Sequence, residues 1–591
     1  MHQSGKDFLS LQRQKDNYLN NSIIANLINR ITRMKKILLS MFLVCVTATV
    51  VAERADYRII PLPKSVETNP TEVFSLRSGM GIAYDASDPE IARNVQFLKQ
   101  WVEELTGVKL ALTPDDKKAP LQLTLGFPAD KKSKKAKKGQ KAEELTEQQQ
   151  EAYMISVTKD GILIRARKPI GLFRAAQTLR KSLPLAIANE SSPVVELPLA
   201  EIQDEPRFGY RGVMLDCARH YFSVDVIKQY IDVMALHGCN QLHWHLTEDQ
   251  GWRFEVKALP ELAKKGSIRE QTVLGHNTGV YDGQRYGGYY TQEQCRELVN
   301  YAAERYINII PEIDLPGHMM GALHVFPNLG CTGGPYPVWP QWGVSREVLC
   351  AGNPETMKFL KTVVGELCDV FPSKFIHIGG DECPKNRWKE CEKCQAKAKE
   401  LGLKDDGKHS VENQLQTWIN HEMEKFLSER GRDMIGWDEV LEGGLTENGI
   451  VMSWRGIDGG IEAAKQHHRV IMTPTTFCYI DYYQLKDHNR QPDAIGGYLP
   501  VSKVYSFEPL LPDQLSEEEQ KYILGPQVNL WTEYVGFPQH VFFMLLPRLD
   551  AISEVQWCRS DQKDFEDFKA RLSHMKQIYD RMGVSYCRDV E

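Results

Sequence analysis

Eight short apolar runs alternate with helical stretches after Pro206, and this alternation constrains the fold more than any other feature of the chain. Strands that alternate with helices form parallel sheets, and eight such repeats favour a closed (β/α)8 TIM barrel over an open sheet. No glycine-rich phosphate loop follows the first run, which argues against a Rossmann fold. The predicted strands are 212–216, 241–246, 307–313, 375–378, 433–437, 450–454, 470–473 and 528–531, with helices near 224–237, 291–305, 354–370, 411–430 and 459–467.

The residues before the alternation predict a separate and smaller α/β domain over 53–205. Strand-like runs occur at 121–125, 153–157 and 162–165, and helical spacing at 88–106 and 171–182. The lysine-rich stretch 128–150, which contains KKSKKAKKGQK, is typical of a flexible and solvated loop. We therefore predict an N-terminal sheet with helices, followed by a (β/α)8 barrel domain over 206–591 with a helical C-terminal end.

Residues 34–52 have the layout of a secretory signal peptide. Lys35 and Lys36 precede an apolar run, and small residues up to Ala52 offer a cleavage site. The run is shorter than the ~20 apolar residues of a membrane-spanning helix, and lipid attachment at Cys45 is an alternative. Residues 1–33 are expected to be disordered or an over-extended start. The pattern predicts an exported bacterial protein that is periplasmic, on the cell surface or secreted.

The charge distribution argues against nucleic acid and anionic membranes as partners. The formal net charge is −6, and the first 52 residues hold seven basic and two acidic side chains, which leaves −11 for the remainder. An acidic body lacks the basic patch that such partners require. It places no restriction on a neutral ligand, and it leaves the oligomeric state open.

Polar and aromatic residues follow nearly every predicted barrel strand. Active sites of (β/α)8 barrels are built at the C-terminal ends of the strands, so these residues are expected to converge. Asp381 and Glu382 are adjacent after the fourth strand, where consecutive side chains point to different sides, and Gly379 and Gly380 allow close approach to a ligand. Two carboxyl groups in one pocket are what glycosidic bond cleavage requires.

Seven motifs in this half of the chain resemble family 20 of the glycoside hydrolases, the β-N-acetylhexosaminidases. They occur in the family's order over about 320 residues, and the domain before residue 200 is similar to the family's N-terminal domain. The motifs are GVMLDCARH at 212–220, HWHLTEDQGWR at 243–253, PEIDLPGH at 311–318, HIGGDE at 377–382, GWDE at 436–439, YID at 479–481 and WTE at 531–533.

The resemblance implies catalytic roles for five residues. Glu382 would be the general acid that protonates the glycosidic oxygen and later activates water. Asp381 would orient the substrate's 2-acetamido group and stabilise the oxazolinium ion that forms when its carbonyl oxygen attacks the anomeric carbon. Tyr479 would hydrogen-bond the acetamido oxygen, and His318 with Asp249 would tune Glu382. No enzyme nucleophile is expected, because the family is an exception to the two-carboxylate scheme.

The resemblance also implies a set of sugar-binding residues. Trp437, Trp454 and Trp531 would form an aromatic box around the sugar, because aromatic faces match the apolar C–H face of a pyranose. The outer hydroxyl groups would be held by Arg219, Asp481 and Glu533. Such a pocket grips a terminal sugar and favours exo action on glycans that end in β-linked GlcNAc or GalNAc.

Two other functions are compatible with the same residues. One is a non-catalytic protein that binds N-acetylhexosamines on the same barrel, since a fold does not determine a function. The other is a hydrolase of the same family that releases disaccharides. The natural glycan and the preference between GlcNAc and GalNAc stay open.

The cysteines allow several interpretations. Cys391-x-x-Cys394, with Cys383 nearby, is compatible with a zinc site, a disulfide or free thiols. A second CxxC and an HExxH motif are absent from the sequence, so we predict no metal and no cofactor. The stretch 323–350 is rich in helix breakers and predicts a long loop at the barrel mouth, in which a Cys331–Cys350 disulfide is one pairing that the spacing allows.

Overall fold

The computed structural model describes residues 54–127, 145–185, 193–444 and 446–591. The predicted signal peptide, the stretch 1–33 upstream of it, and residues 128–144 of the lysine-rich stretch lie outside the described residues. Within the described ranges, no helix is both long enough and apolar enough to span a bilayer.

Residues 65–204 form a mixed seven-stranded sheet with the order β1-β7-β5-β6-β4-β2-β3. The helices Pro89–Thr106 and Pro169–Ser182 pack against each other beside it. Asp88 caps the first helix by accepting hydrogen bonds from the backbone N–H groups of Glu90 and Ile91. The strands are β1 Ser65–Arg77, β2 Gly81–Ala83, β3 Ala111–Leu112, β4 Leu121–Leu125, β5 Tyr153–Val157, β6 Ile162–Ala166 and β7 Val194–Asp204.

The end of the predicted lysine-rich loop was placed wrongly. The loop was expected to continue to residue 150, but Glu147–Glu151 form a helix with a capping box between Thr146 and Gln149. Glu151 is buried and forms ion pairs with Arg174 at 2.7 Å and Arg211 at 2.6 Å. These tertiary contacts stabilise a short helix in a segment whose polar composition favours a loop.

The second half of the described chain is a closed barrel of eight parallel strands, which confirms the predicted fold class. Each strand pairs in parallel with its neighbours, and the last strand, Ile523–Leu530, pairs with the first, Gly212–Asp216, to close the barrel. The strands are β8 Gly212–Asp216, β9 Gln241–His245, β14 Asn308–Glu312, β15 Phe375–His377, β16 Asp433–Trp437, β17 Ile450–Ser453, β18 Val470–Met472 and β19 Ile523–Leu530. Two small hairpins are inserted after β9: β10 Thr247–Glu248 with β11 Gly251–Trp252, and β12 Ile268–Arg269 with β13 Tyr286–Gly287.

Helices surround the barrel, and the five predicted ones are confirmed with small differences at their ends. They are Val224–Leu236, Gln292–Ala303, Pro354–Val370, Val411–Ser428 and Asp458–Lys465. Shorter helices lie in the loops, at Pro260–Gly266, Met320–Val325, Asn386–Glu390, Glu392–Glu400, Thr475–Cys478, Val501–Tyr505 and Glu517–Gln520. The chain ends in the helices Pro538–Leu545, Arg548–Trp557 and Phe565–Met582.

Candidate active site

A pocket of about 380 Å³ opens at the C-terminal ends of the barrel strands. This volume lies in the range of small-molecule sites. Eight of the eleven predicted site residues line it: Arg219, Asp381, Glu382, Trp454, Tyr479, Asp481, Trp531 and Glu533. The lining also includes Trp342, Tyr482 and Tyr534, to which no role was assigned from the sequence.

The backbone after β15 is shaped to present the two adjacent carboxyl groups. Gly379 and Gly380 have φ values of +65° and +97°, and Glu382 itself has a φ of +46°, which is rare for a residue with a side chain. A Cβ atom on Gly379 would lie 1.9 Å from an oxygen of Asp314, so only glycine fits there. Strained backbone of this kind is held by its surroundings at functional sites.

Glu382 has the properties of a proton donor. Its side chain is 43% exposed at the pocket, and one carboxyl oxygen lies 3.7 Å from Nε2 of His318. Partial burial and the negative charge of Asp381 raise the pKa of Glu382 above its ordinary value. A carboxyl group with a raised pKa keeps a proton at a higher pH and can transfer it to a leaving group.

Asp381 has one oxygen in the pocket that is free to accept a hydrogen bond. Its Oδ1 is buried, and no described residue donates a hydrogen bond to it. Burial raises the pKa of Asp381, while His318, whose Nε2 lies 3.7 Å from Oδ2, opposes this increase. Burial together with the negative charge of Asp381 raises the pKa of Asp314 well above its usual range.

His318 connects the carboxyl pair to a second layer of carboxylates. Its Nδ1 lies 2.8 Å from Glu248 and 3.4 Å from Asp249. Burial lowers the pKa of His318, but the neighbouring carboxylates, Glu248 above all, outweigh it and hold that pKa well above 6.5. The sequence assigned Asp249 as the partner of His318, whereas Glu248 is nearer. Asp249 also accepts the backbone N–H groups of Met320 at 3.2 Å and Ser345 at 2.9 Å.

Arg219 occupies the opposite part of the pocket among three carboxylates. Its guanidinium group forms ion pairs with Glu248, with Asp216 at 3.3 Å and with Glu533 at 3.9 Å, and lies 4.9 Å from the centre of the Trp531 ring. Burial opposes ionisation of Glu248, but the charges of Arg219 and His318 lower its pKa to about 2. The cation is therefore fixed in place before any ligand binds.

Aromatic rings form one wall of the pocket. Trp454 stacks on Tyr479 with ring centres 6.1 Å apart, and Tyr479 lies 6.4 Å from Trp531. Trp437, predicted for the same box, is only 1% exposed and does not line the pocket. It packs behind Trp531 with ring centres 5.8 Å apart and donates a hydrogen bond from Nε1 to Glu312 at 2.9 Å.

Two further carboxyl groups in the pocket have buried oxygens without a partner. Oδ1 of Asp481 and Oε2 of Glu533 accept no hydrogen bond from any residue in the described part of the chain. Burial is the main cause that raises the pKa of both groups, and the charge of Glu533 adds to it at Asp481. Buried polar atoms are nearly always paired in folded proteins, so these oxygens await the donors of a ligand.

Besides Tyr482 and Tyr534, sequence reasoning missed three residues that shape the pocket. Glu248 lies within a quoted motif, but its neighbour Asp249 was chosen instead. Glu439, also within a motif, accepts the Nε1–H of Trp454 at 2.9 Å, and burial with the charge of Asp381 raises its pKa to about 8. Trp342 lies in the long loop after β14 and carried no signal in the sequence.

Three sets of histidine and carboxylate groups in the barrel have ligand atoms close enough to hold a metal ion: His243, Glu312 and His377; Glu248, Asp249 and His318; Asp314, His318 and Asp381. A hydrogen bond in the first set and ion pairs in the sets of His318 account for their geometry. His243 Nε2 lies 2.8 Å from Glu312, and His318 Nδ1 lies 2.8 Å from Glu248. The prediction that the active site uses no metal stays a prediction.

A (β/α)8 barrel that brings a protonatable carboxyl group, a second carboxylate and tryptophan rings into one pocket defines a barrel glycoside hydrolase. The family model described as glycosyl hydrolase family 20, catalytic domain, matches residues 208–560, and domain 2 of the same family matches residues 56–205. The chain belongs to glycosyl hydrolase family 20.

Individual relatives agree with this assignment. A beta-hexosaminidase of Porphyromonas gingivalis is 45% identical over 74% of the chain, which spans 54% of that relative's length. A mutant beta-hexosaminidase of Streptomyces plicatus, solved with its product GlcNAc, has a TM-score of 0.74 and 27% identity, with 91% of this chain and 98% of that one covered. An exo beta-N-acetylglucosaminidase of Vibrio harveyi with N-acetylglucosamine has a TM-score of 0.75 and 28% identity, with 91% and 80% covered.

Proposed function

We propose that the chain is a retaining exo-β-N-acetylhexosaminidase that removes terminal β-linked GlcNAc or GalNAc by substrate-assisted catalysis. The observation that carries this proposal is the set of unpaired buried oxygens of Asp381, Asp481 and Glu533 in an aromatic pocket beside Glu382. A terminal N-acetylhexosamine offers several hydroxyl groups and one amide N–H as donors. The names of the relatives, which act on or bind N-acetylated hexosamines, support the same substrate.

The pocket first binds the terminal sugar. Asp481, Glu533 and Arg219 hold its outer hydroxyl groups, because their charged groups form strong hydrogen bonds in a buried site. The apolar face of the pyranose lies on the wall of Trp454 and Trp531. The amide N–H of the acetamido group donates to the unpaired Oδ1 of Asp381, which directs the carbonyl oxygen towards the anomeric carbon.

In the first chemical step, Glu382 donates its proton to the glycosidic oxygen. The acetamido carbonyl oxygen attacks the anomeric carbon while the bond to the leaving group breaks, and an oxazolinium ion forms. Its nitrogen carries positive charge, which the carboxylate of Asp381 stabilises at close range. Tyr479 donates a hydrogen bond to the former carbonyl oxygen and helps to position it.

In the second step, Glu382 acts as a base, and no covalent bond forms between the enzyme and the sugar. Glu382, now ionised, takes a proton from water, and this water attacks the anomeric carbon from the side that the leaving group has left. The oxazolinium ring opens and restores the acetamido group. Two successive inversions at the same carbon give net retention of configuration.

The two competing functions are less well supported by the pocket. A sugar-binding protein has no need of a carboxyl group whose pKa is raised by burial and by a neighbouring carboxylate, as that of Glu382 is. Arg219, Asp481 and Glu533 line the same pocket as the carboxyl pair, as the binding of a terminal sugar at the cleavage site requires. We also propose that the protein is exported and meets its glycan substrates in the periplasm, at the cell surface or outside the cell.

Product analysis on a defined β-linked trisaccharide of N-acetylglucosamine tests this proposal. We expect the wild type to release monosaccharide with the β configuration, and Glu382→Gln to lose about 10²–10⁴-fold in kcat/KM, the range of general acid catalysis. The matched control is Glu355→Gln, whose carboxylate is exposed in a surface pair with Lys358 and should leave the rate unchanged. Because exo cleavage leaves the disaccharide of the reducing end, the trisaccharide carries a label at that end. Release of unlabelled disaccharide with labelled monosaccharide contradicts exo action, and full activity of Glu382→Gln contradicts the catalytic assignment.

A further inference from the structure

Four cysteines from two loops at the barrel mouth bring their sulfur atoms together. The Sγ atoms of Cys331, Cys350, Cys391 and Cys394 all lie within 4.8 Å of one another. The separations are 3.9 Å for Cys331–Cys394, 3.7 Å for Cys350–Cys391 and 3.6 Å for Cys350–Cys394. All four are free thiols, as are the other cysteines in the described ranges.

These separations match a mononuclear metal site. A disulfide requires a sulfur–sulfur distance of about 2.05 Å, well below the observed values. In a tetrahedral site with metal–sulfur bonds of about 2.3 Å, neighbouring sulfur atoms lie about 3.8 Å apart. We propose that Cys331, Cys350, Cys391 and Cys394 form a tetrathiolate site for one structural Zn²⁺ ion.

The backbone around the cysteines is packed as such a site requires. A Cβ atom on Gly352 would lie 2.0 Å from the carbonyl oxygen of Lys393 and 2.5 Å from the nitrogen of Cys394, so the two loops are in direct backbone contact there. This contact brings the loop of Cys350 against the CxxC pair, and only glycine allows it.

The CxxC pair reaches the cluster from the start of a helix. Cys391 precedes the helix Glu392–Glu400, and Cys394 lies in its first turn. Residues three apart on a helix face the same side, so both sulfur atoms can bind one ion. The second pair, Cys331 and Cys350, comes from the two ends of the loop after the short helix Met320–Val325.

The ligand set favours zinc over calcium and magnesium. Thiolates are soft ligands that calcium and magnesium do not favour, and four protein ligands leave no open position for catalysis. Cys350 and Cys394 are 1% and 0% exposed, so these two ligands are shielded from water. Four thiolates at these distances repel one another unless a cation lies between them.

This inference departs from the sequence analysis, which expected no metal because it found only one CxxC. Cys383, which the sequence grouped with that pair, is not a member of the cluster. The missing ligands come from Cys331 and Cys350, whose spacing of nineteen residues has no metal signature. Only the folded loops show that the two pairs meet.

The site joins the loop 331–350 to the segment that follows Glu382. Trp342 lies within that loop and lines the catalytic pocket. The base of the loop is also held by a hydrogen bond from Trp388 Nε1 to the carbonyl oxygen of Leu349 at 2.9 Å. We expect the metal to fix the outer wall of the pocket; this consequence, unlike the site itself, rests on the proposed function.

Metal analysis of the purified full chain tests the site independently of activity. We expect about one zinc ion per chain by mass spectrometry of the elements, and Co²⁺ in its place should give the visible spectrum of a tetrahedral tetrathiolate centre. The double variant Cys391→Ser and Cys394→Ser should lose the metal. Cys368→Ser, which removes a buried thiol outside the cluster, should retain it.

A second measurement covers the case in which the double variant does not fold. Titration of the wild type with a thiol-blocking mercurial should release zinc in step with modification of the four cysteines, detected by a coloured chelator. Absence of bound metal together with disulfides among these four cysteines, found by non-reducing peptide mapping, would overturn the proposal. Iron in place of zinc would overturn the identity of the ion.

Discussion

Two groups of buried carboxyl groups lie in the barrel, and they differ in how their oxygens are paired. Glu312, at the end of β14, is fully buried and receives hydrogen bonds from three side chains: His243 at 2.8 Å, Trp437 at 2.9 Å and His245. Nδ1 of His377 also lies 3.0 Å from it. In the pocket, Asp381, Asp481 and Glu533 each keep one buried oxygen to which no described residue donates.

This difference distinguishes a carboxylate that stabilises the fold from carboxylates that are available to bind a ligand. Burial opposes ionisation of Glu312, yet the three histidines lower its pKa well below 4.5. Burial and the charge of Glu533 raise the pKa of Asp481, because Arg548 and Arg219 offset the loss of water only in part. A satisfied carboxylate stabilises the fold, whereas an unsatisfied one destabilises it and is retained for a ligand.

Among the variants that test this comparison, Glu312→Gln is expected to have the largest effect, a loss of stability. Removing the charge leaves a buried histidine cluster without its anion, and the free energy of unfolding should fall by about 3–5 kcal/mol. Chemical denaturation measures this value. The control Glu355→Gln, in an exposed pair with Lys358, should change it by less than about 0.5 kcal/mol.

The stabilising contribution of Glu312 should depend on pH, and the direction follows from its pKa. The pKa of Glu312 is lower in the folded protein than its ordinary value of 4.5, so its contribution is complete above that pH. The contribution is lost as the pH falls through the lower folded-state pKa. A difference between wild type and Glu312→Gln that disappears already at neutral pH would contradict the assignment.

Asp481→Asn should act in the opposite direction on stability. The variant removes a buried charge without a partner, so the protein should become more stable, while the affinity for the sugar weakens by about 1.5–3 kcal/mol, or roughly 10–100-fold in kcat/KM. Because the folded-state pKa of Asp481 is raised, the gain in stability should grow as the pH rises. Thermal unfolding across pH and kinetics on an aryl N-acetylglucosaminide measure the two effects.

The control for this variant is Asp561→Asn, which changes the same charge in an exposed pair with Arg559. It should alter neither stability nor kinetics beyond about 0.5 kcal/mol. A loss of stability in Asp481→Asn, together with unchanged kinetics, would show that Asp481 is a structural residue like Glu312.

The smallest expected effect is a shift of the pH profile in Asp381→Asn. The charge of Asp381 helps to raise the pKa of Glu382, and the reaction needs Glu382 protonated. Without that charge the pKa falls, so the residual activity should be lost at a lower pH on the basic side than in the wild type. The profile of kcat/KM against pH measures the shift, and a basic limb that stays in place or moves upward would refute the electrostatic coupling.

The fold could be predicted because buried parallel strands leave apolar runs that the sequence shows directly. The exceptions have physical causes. β19 begins at Ile523, five residues before the predicted start. The prediction began too late because Gly525 and Pro526, which lie within the strand, are typical of a turn. β1 was missed because most of its side chains are exposed, so it has no apolar period.

Site residues could be predicted where their own sequence motif positions them, but not where contacts between separate segments do. Asp381 and Glu382 are positioned by the two glycines before them, and both lie in the pocket. Whether Glu248 or Asp249 meets His318 depends on the hairpin that β10 and β11 form, which the sequence does not show. The cysteine cluster depends on contact between two loops and was likewise beyond the reach of local patterns.

The central claim is that the substrate's acetamido oxygen attacks the anomeric carbon while Asp381 orients it. Successive replacement of the acetamido hydrogens by fluorine lowers the nucleophilicity of that oxygen and leaves the rest of the sugar nearly unchanged. The account predicts that kcat/KM of the wild type falls steeply from acetyl to monofluoro-, difluoro- and trifluoroacetyl substrates. Equal rates across this series would contradict it.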